Sequence, residues 1–279
     1  MGKFFMPWRL CLQNFRKWTV NPRLYVLACL LFIDLYYTSQ GLIGFCQYAD
    51  TTVTPYLLPM LMESDRDFLF LGLVLLFCDA PFLDEEQPYI LLRSGKKRWM
   101  AGQVLYLAVG ALAYFVFIQL LYLVFLVGYL GFDMEWGNVL VTVANGQSPP
   151  EYGLAFPPNL IDSYDPLNGL ILCTGICVLL GLMLGLLMFA LNVRFNRAIG
   201  ALAASAVVLL SNVDFGNPNQ SIYFRPVAWA DAGNLDFKGV SAMPSAAYVL
   251  GVLAVLIVLL TLLCYLFIRK KNIEVMPQI

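Results

Sequence analysis

The sequence predicts an all-α membrane protein with six transmembrane helices, and three observations carry that reading. Of its 279 residues, 60% are hydrophobic and 13% charged, against about 45–50% apolar and about 25% charged in soluble domains. The apolar residues gather into six long runs with the charges between them. The connections alternate between basic and acidic along the chain, as the positive-inside bias of membrane proteins requires.

The chain reads as a single polytopic domain over 1–279, and its elements follow in order. The stretch "KFFMPWRLCLQNFRKWTV" places Trp8, Cys11, Leu12, Phe15 and Trp18 at three- and four-residue spacing. Arg9, Gln13, Asn14, Arg16 and Lys17 take the other faces, and Pro7 suits a first helical turn. A basic amphipathic helix over 3–22, lying on the inner membrane surface, is expected. It serves either as an anchor alone or as an anchor that also touches a cytoplasmic partner. The first span covers 24–45, too long for a signal-peptide core and without a small-residue exit, so it reads as a signal anchor. The others are 68–83, 101–127, 167–191, 198–213 and 246–268. A bilayer core of about 30 Å takes about 20 helical residues. The second and fifth runs have 16 each, so flanking turns extend them or they belong to broken or re-entrant elements. "PYLLPMLM" (55–62) ahead of "ESDRD" favours a broken outer half for the second.

Charge sets the orientation. Fourteen of the seventeen lysines and arginines fall in the N-terminal segment, the second-to-third and fourth-to-fifth connections and the tail. Both ends are therefore expected on the cytoplasmic side of a cell membrane. Three basic against twelve acidic residues leave the outer side at −9, and fourteen against five leave the inner side at +9. Asp34 stands within the first span. The seven cysteines are scattered, with only Cys46 near the outer surface, so no disulfide framework is expected. The chain has no histidine, which excludes His-based catalysis and His-ligated metal. No catalytic site, cofactor site, metal site or nucleic-acid contact is expected in this chain.

The second-to-third connection, "DEEQPYILLRSGKKRW", begins with acids and ends with bases. That order suits the dipole of one short amphipathic helix within the cytoplasmic segment 84–100. Its Tyr89, Ile90, Leu91 and Leu92 are too apolar for a solvated loop, so something is expected to cover them. "SGKK" is not a phosphate-binding loop. The residue five before Gly95 is Ile90 rather than glycine, Lys96 is followed by Lys97 rather than a hydroxyl residue, and no strand leads into it.

The outer connection 128–166 is rich in Pro, Gly, Asn and Asp and reads as loop with short helices. Residues 214–245 carry Phe215, Tyr223, Phe224, Trp229 and Phe237, which suits a partly re-entrant excursion before the last span. Inside the spans, Asp34 is either a pathway residue or a carboxyl bonded to neighbours such as Tyr36, Tyr37, Thr38 and Gln40. Gln119 is either interhelical glue or a substrate contact. Cys173, Cys177, Gly181 and Gly185, at intervals of four, make a stripe for close helix packing within the chain or at a dimer seam.

The feature order, with "LLFCDAPFLDEEQPYILLRSGKKRWMAGQVLYL" (75–107) as its local basis, resembles the permease subunit of bacterial ATP-binding-cassette exporters of the type-2 class, in particular Gram-positive ones. The resemblance implies an interfacial N-terminal helix, six spans, a cytoplasmic coupling helix between spans two and three, and a re-entrant outer segment. It also implies a separate ATPase subunit that binds ATP and Mg, and a second permease chain, identical or paralogous, completing the pathway in the lipid bilayer. On that resemblance Glu85, Glu86, Tyr89, Arg93, Lys96, Lys97 and Arg98 form the docking surface for the ATPase. The acidic outer loops favour a basic amphipathic cargo, a peptide or antimicrobial, with drugs and lipids as alternatives. A non-transporting scaffold or immunity protein and an intramembrane enzyme are the rival classes.

Overall fold

The computed structural model describes residues 6–81, 87–214, 216 and 218–270. These form α1 (Met6–Arg16), α2 (Pro22–Ala49), α3 (Leu58–Ser64), α4 (Arg66–Phe77), α5 (Gln87–Ser94), α6 (Lys96–Phe125), α7 (Gly137–Ala144), α8 (Pro158–Ile161), α9 (Pro166–Arg194), α10 (Arg197–Leu210), α11 (Pro218–Ser221) and α12 (Ala246–Lys270). Among the described residues the only β pairing is two isolated bridges, Val53 with Leu130 and Asp236 with Ser245. The chain is thus all-α. Four helices, α2, α6, α9 and α12, are long and apolar enough to cross a membrane. At 1.5 Å per residue, the 12 residues of α4 and the 14 of α10 reach only about 18 and about 21 Å, short of the core thickness of about 30 Å.

Local chemistry sets the boundaries. Asn21 accepts from the Arg23 amide at 3.1 Å and Pro22 opens α2. Asn196 caps α10 in the same way, accepting from Ile199 at 3.0 Å. The expected break in the second span is present: α3 and α4 meet at Asp65, whose φ of −121° interrupts the helix. The far end differs from the expected 68–83. The helix stops at Phe77, because Pro81 has no N–H to continue the ladder and restricts the residue before it.

α6 and α9 form the centre. The small-residue stripe of α9 is spent inside the chain: Gly181 faces Leu73 and Ala111, and Gly185 faces Leu107 and Phe77. Cys173 and Cys177 are buried there, and no cysteine of the seven is in a disulfide. α10 and α12 flank α9. The Asn192 amide on α9 donates to the carbonyls of Cys78 and Ala80, at 3.1 and 2.6 Å, and so holds the turn after α4. Arg23 pairs with Asp79 at 2.8 Å, tying the start of α2 to the same turn.

α1 lies across the start of α6. Leu10 packs on Gly102, Asn14 donates to Gln103 at 3.0 Å, and the Trp18 indole donates to the Tyr106 hydroxyl at 2.8 Å. The expected apolar stripe of α1 is split as a result. Cys11, Phe15 and Trp18 face the protein with Leu10 and Asn14, whereas Trp8 and Leu12, each 48% exposed, look outward. The helix thus packs one face on α6 and presents a second apolar face, Trp8 and Leu12, outward.

The molecule has a basic end, with α1, α5, the first turn of α6 and the end of α12, and an acidic end. At the acidic end Trp136 donates to the Tyr164 carbonyl at 2.9 Å, and Thr54 donates to the Trp136 carbonyl at 2.8 Å. The excursion before α12 is compact. Val227, Ala228, Trp229, Ala230, Ala232 and Leu235 are all buried, in short 3₁₀ turns against α9 and α10, and Trp229 donates to the Ile222 carbonyl at 2.8 Å. Phe224 stays exposed. Phe215 lies outside the described residues.

Candidate functional site

At the basic end, the expectation of one helix running through Arg98 is corrected. α5 ends at Ser94, and Gly95 takes φ 77° and ψ 151°, a region open in practice to glycine alone. Lys96, Lys97 and Arg98 therefore form the first turn of α6, at the unfavourable end of its dipole, and do not cap α5. The join stays hydrogen-bonded on both sides: the Gly95 amide donates to the Leu91 carbonyl at 2.8 Å, and the Trp99 amide donates to the Gly95 carbonyl at 3.1 Å.

Of the seven expected docking residues, Glu85 and Glu86 lie outside the described residues. Tyr89, 76% exposed, and Arg93 stand on the open side of α5, while Ile90 and Leu91 are half-buried. Ser94 is buried and turns its hydroxyl back to the Ile90 carbonyl at 2.7 Å. Lys96, Lys97 and Arg98 border a cavity of about 470 Å³ whose far wall is Tyr265 and Arg269 of α12. The Lys97 ammonium stands 6.0 Å from the centre of the Tyr265 ring, a cation–π distance. The sequence signalled the lysines but not their partners, which sit at the other end of the chain.

A second polar group occupies the acidic ends of the two short helices. Arg66 pairs with Asp67 at 3.1 Å and donates to the side-chain Oδ1 of Asn212 at 2.5 Å. The Asn212 amide in turn donates to Asp67. One asparagine after α10 thereby closes on the ion pair that opens α4. The equal shortness of runs two and five was the only trace of this pairing in the sequence. Beside it, Ser64 donates to Asp65 at 2.6 Å. The Thr38 hydroxyl lies 3.0 Å from Asp65 Oδ2 and 3.1 Å from the Asp34 carbonyl, so its one proton serves one of them. Asp34 is half-buried on α2, and its Oδ2 is buried with no hydrogen-bond partner among the described residues. Gln119 donates to Thr174 at 3.2 Å, bridging α6 and α9.

Nearer the surface, Asp214 pairs with Arg225 at 2.8 Å and Lys238 with Asp162 at 3.1 Å. Partial burial of its carboxyl, reinforced by the neighbouring Asp231 carboxylate, raises Glu63 to about 7, although the residue as a whole is exposed. Among the described residues, no cluster of acids and cysteines has the arrangement of a metal site. Against protein-family models, curated proteins and solved structures the chain has no match.

Proposed function

We propose that this chain is the permease subunit of an ATP-binding-cassette exporter, moving an amphipathic substrate, a basic peptide or antimicrobial before a drug or lipid, with energy from a separate ATPase. In this reading α2, α4, α6, α9, α10 and α12 are six passes through a cell membrane, with both termini cytoplasmic. A second permease chain completes the pathway.

The observation that carries the reading is α5. A short helix with Tyr89 and Arg93 exposed is joined to the long helix α6 through the single residue Gly95, whose amide and carbonyl are both hydrogen-bonded across the joint. A push on α5 from a partner that binds ATP and Mg would travel straight into α6. Lys96, Lys97 and Arg98 flank that contact, and Glu85 and Glu86 precede it in sequence. Asp34, whose Oδ2 has no hydrogen-bond partner among the described residues, and Gln119 are the polar groups offered to a pathway. The acidic connections, at −9, favour a cationic cargo.

Affinity purification of the intact chain from its native membrane, with mass spectrometry of what comes with it, tests the reading. An ATP-binding-cassette ATPase is expected. Deleting 85–98 is expected to release it while the permease remains in the membrane. If no ATPase accompanies the wild-type chain, the transporter reading fails and the scaffold reading takes its place. If the deletion leaves the ATPase bound, the docking assignment is wrong.

A further inference from the structure

The cavity at the basic end stands independently of the transporter reading. Its walls come from two helices far apart in sequence, with Lys96, Lys97 and Arg98 on α6 and Tyr265 and Arg269 on α12. Among the described residues, no carboxylate lines it. A hollow of about 470 Å³ bordered by Lys97, Arg98 and Arg269, beside a Lys96 already engaged elsewhere, concentrates positive potential and favours an anion. The first amides of α6 add to the positive field at the same spot.

Depth identifies which anion. α1 presents Trp8 and Leu12 outward beside the exposed Arg9 and Arg16, the composition of a helix lying in the membrane interface. It crosses α6 at Gly102 and Gln103. Lys97 is five residues beyond Gly102, about 7.5 Å along the axis. The headgroup layer on each side of a bilayer is about 5–7.5 Å thick. Lys97 and the cavity mouth therefore sit at the level of lipid phosphates. Below them, the outer faces of α6 and α12 are apolar, with Leu262, Leu263 and Leu266 exposed, as an acyl chain requires. Basic pockets between membrane helices on the cytoplasmic side recognise anionic headgroups in general.

We infer that this cavity binds the phosphate headgroup of one anionic phospholipid of the inner leaflet, its acyl chains running along α12. Tyr89 and Arg93 on α5 are outside the cavity lining, so a lipid there leaves that surface open to a protein.

Native mass spectrometry of the purified full-length chain in detergent tests this, with no ATPase present. The probes are phosphatidylglycerol, phosphatidylcholine with the same acyl chains, and inorganic phosphate. One phosphatidylglycerol is expected to be retained in preference to phosphatidylcholine. The double variant Lys97→Gln/Arg269→Gln is expected to weaken its retention by about thirtyfold, about fivefold per charge. Arg93→Gln, outside the cavity, should change nothing, and Lys97→Arg should retain the lipid. Should the double variant fail to fold, Arg98→Gln carries the same expectation at about fivefold. Equal retention of the two lipids, or unchanged phosphatidylglycerol retention in the double variant, overturns the inference. Displacement of the lipid by inorganic phosphate would make the cavity a free-phosphate site and overturn it too. In a separate purification from native membrane, loss of a co-purifying ATPase from the double variant, with lipid retention intact, would assign the cations to a protein surface and overturn it likewise.

Discussion

Gly200 lies against the Asn192 side chain and the Met188 carbonyl so closely that a Cβ there would overlap them. Asn192 cannot easily yield, because its amide holds two carbonyls of the turn after α4. Gly200→Ala is expected to cost about 1–3 kcal/mol through overpacking, read as a lowered thermal midpoint in detergent; an unchanged midpoint would show that Asn192 gives way. Glu63 gives a pH prediction. Its ordinary value of 4.5 rises to about 7, so the folded chain holds this proton more tightly than the unfolded chain does. The stability it contributes is full below about 4.5 and is lost as pH rises to about 7. Glu63→Gln is expected to flatten thermal stability across that window, and a slope equal to wild type would refute the assignment. Asp231 leans the same way through burial, with the Gly233 amide and Arg66 opposing, so part of the slope remains. Neither site was legible in the sequence. Gly200 looks like any glycine in an apolar run, and Glu63 meets its partner only after the chain has passed through α9 and α10.

At the scale of elements, the long helices were legible because length and hydropathy alone define them. α2, α6, α9 and α12 each fall within a few residues of the expected 24–45, 101–127, 167–191 and 246–268. The division of 84–100 was not, since the row of charges does not say on which side of Gly95 a helix ends. Backbone conformation decides it, and the structure puts three cations on α6 instead of α5. A Cβ at Gly95 would meet nothing within 4 Å, so Gly95→Ala isolates the backbone effect. It is expected to cost about 1–3 kcal/mol in thermal unfolding. In the transporter reading, it should also lower ATP turnover of the assembled complex while the ATPase stays bound. Turnover matching wild type would mean that the joint transmits nothing. α1 was legible as a helix but not in its facing, because amphipathic spacing cannot reveal that it is gripped by α6 on one side.

For the whole molecule, the separation of charge between its ends was plain from the sequence, since topology is enforced by lysine and arginine counts. It predicts that Val240→Cys, at an 85% exposed position of the acidic end, reacts with a membrane-impermeant maleimide in intact cells. Tyr89→Cys should react only after permeabilisation, and the reverse pattern would invert the topology. Cys29, which is exposed, and Cys78, which is half-buried, are first replaced by serine; the remaining cysteines, Cys11, Cys46, Cys173, Cys177 and Cys264, are all buried. What no count could show is how distant elements are fastened together. α4 is held to α10 through Arg66, Asp67 and Asn212 at one end, and to α9 through Asn192 at the other. The Asn192 links are shielded and costly to open singly, whereas the Asn212 links lie at the surface. In the language of amide exchange, α4, α9 and α10 should make one cooperative unit. Removing the Asn212 amide by Asn212→Ala should then speed deuterium uptake not only after α10 but also across 65–69 at the start of α4.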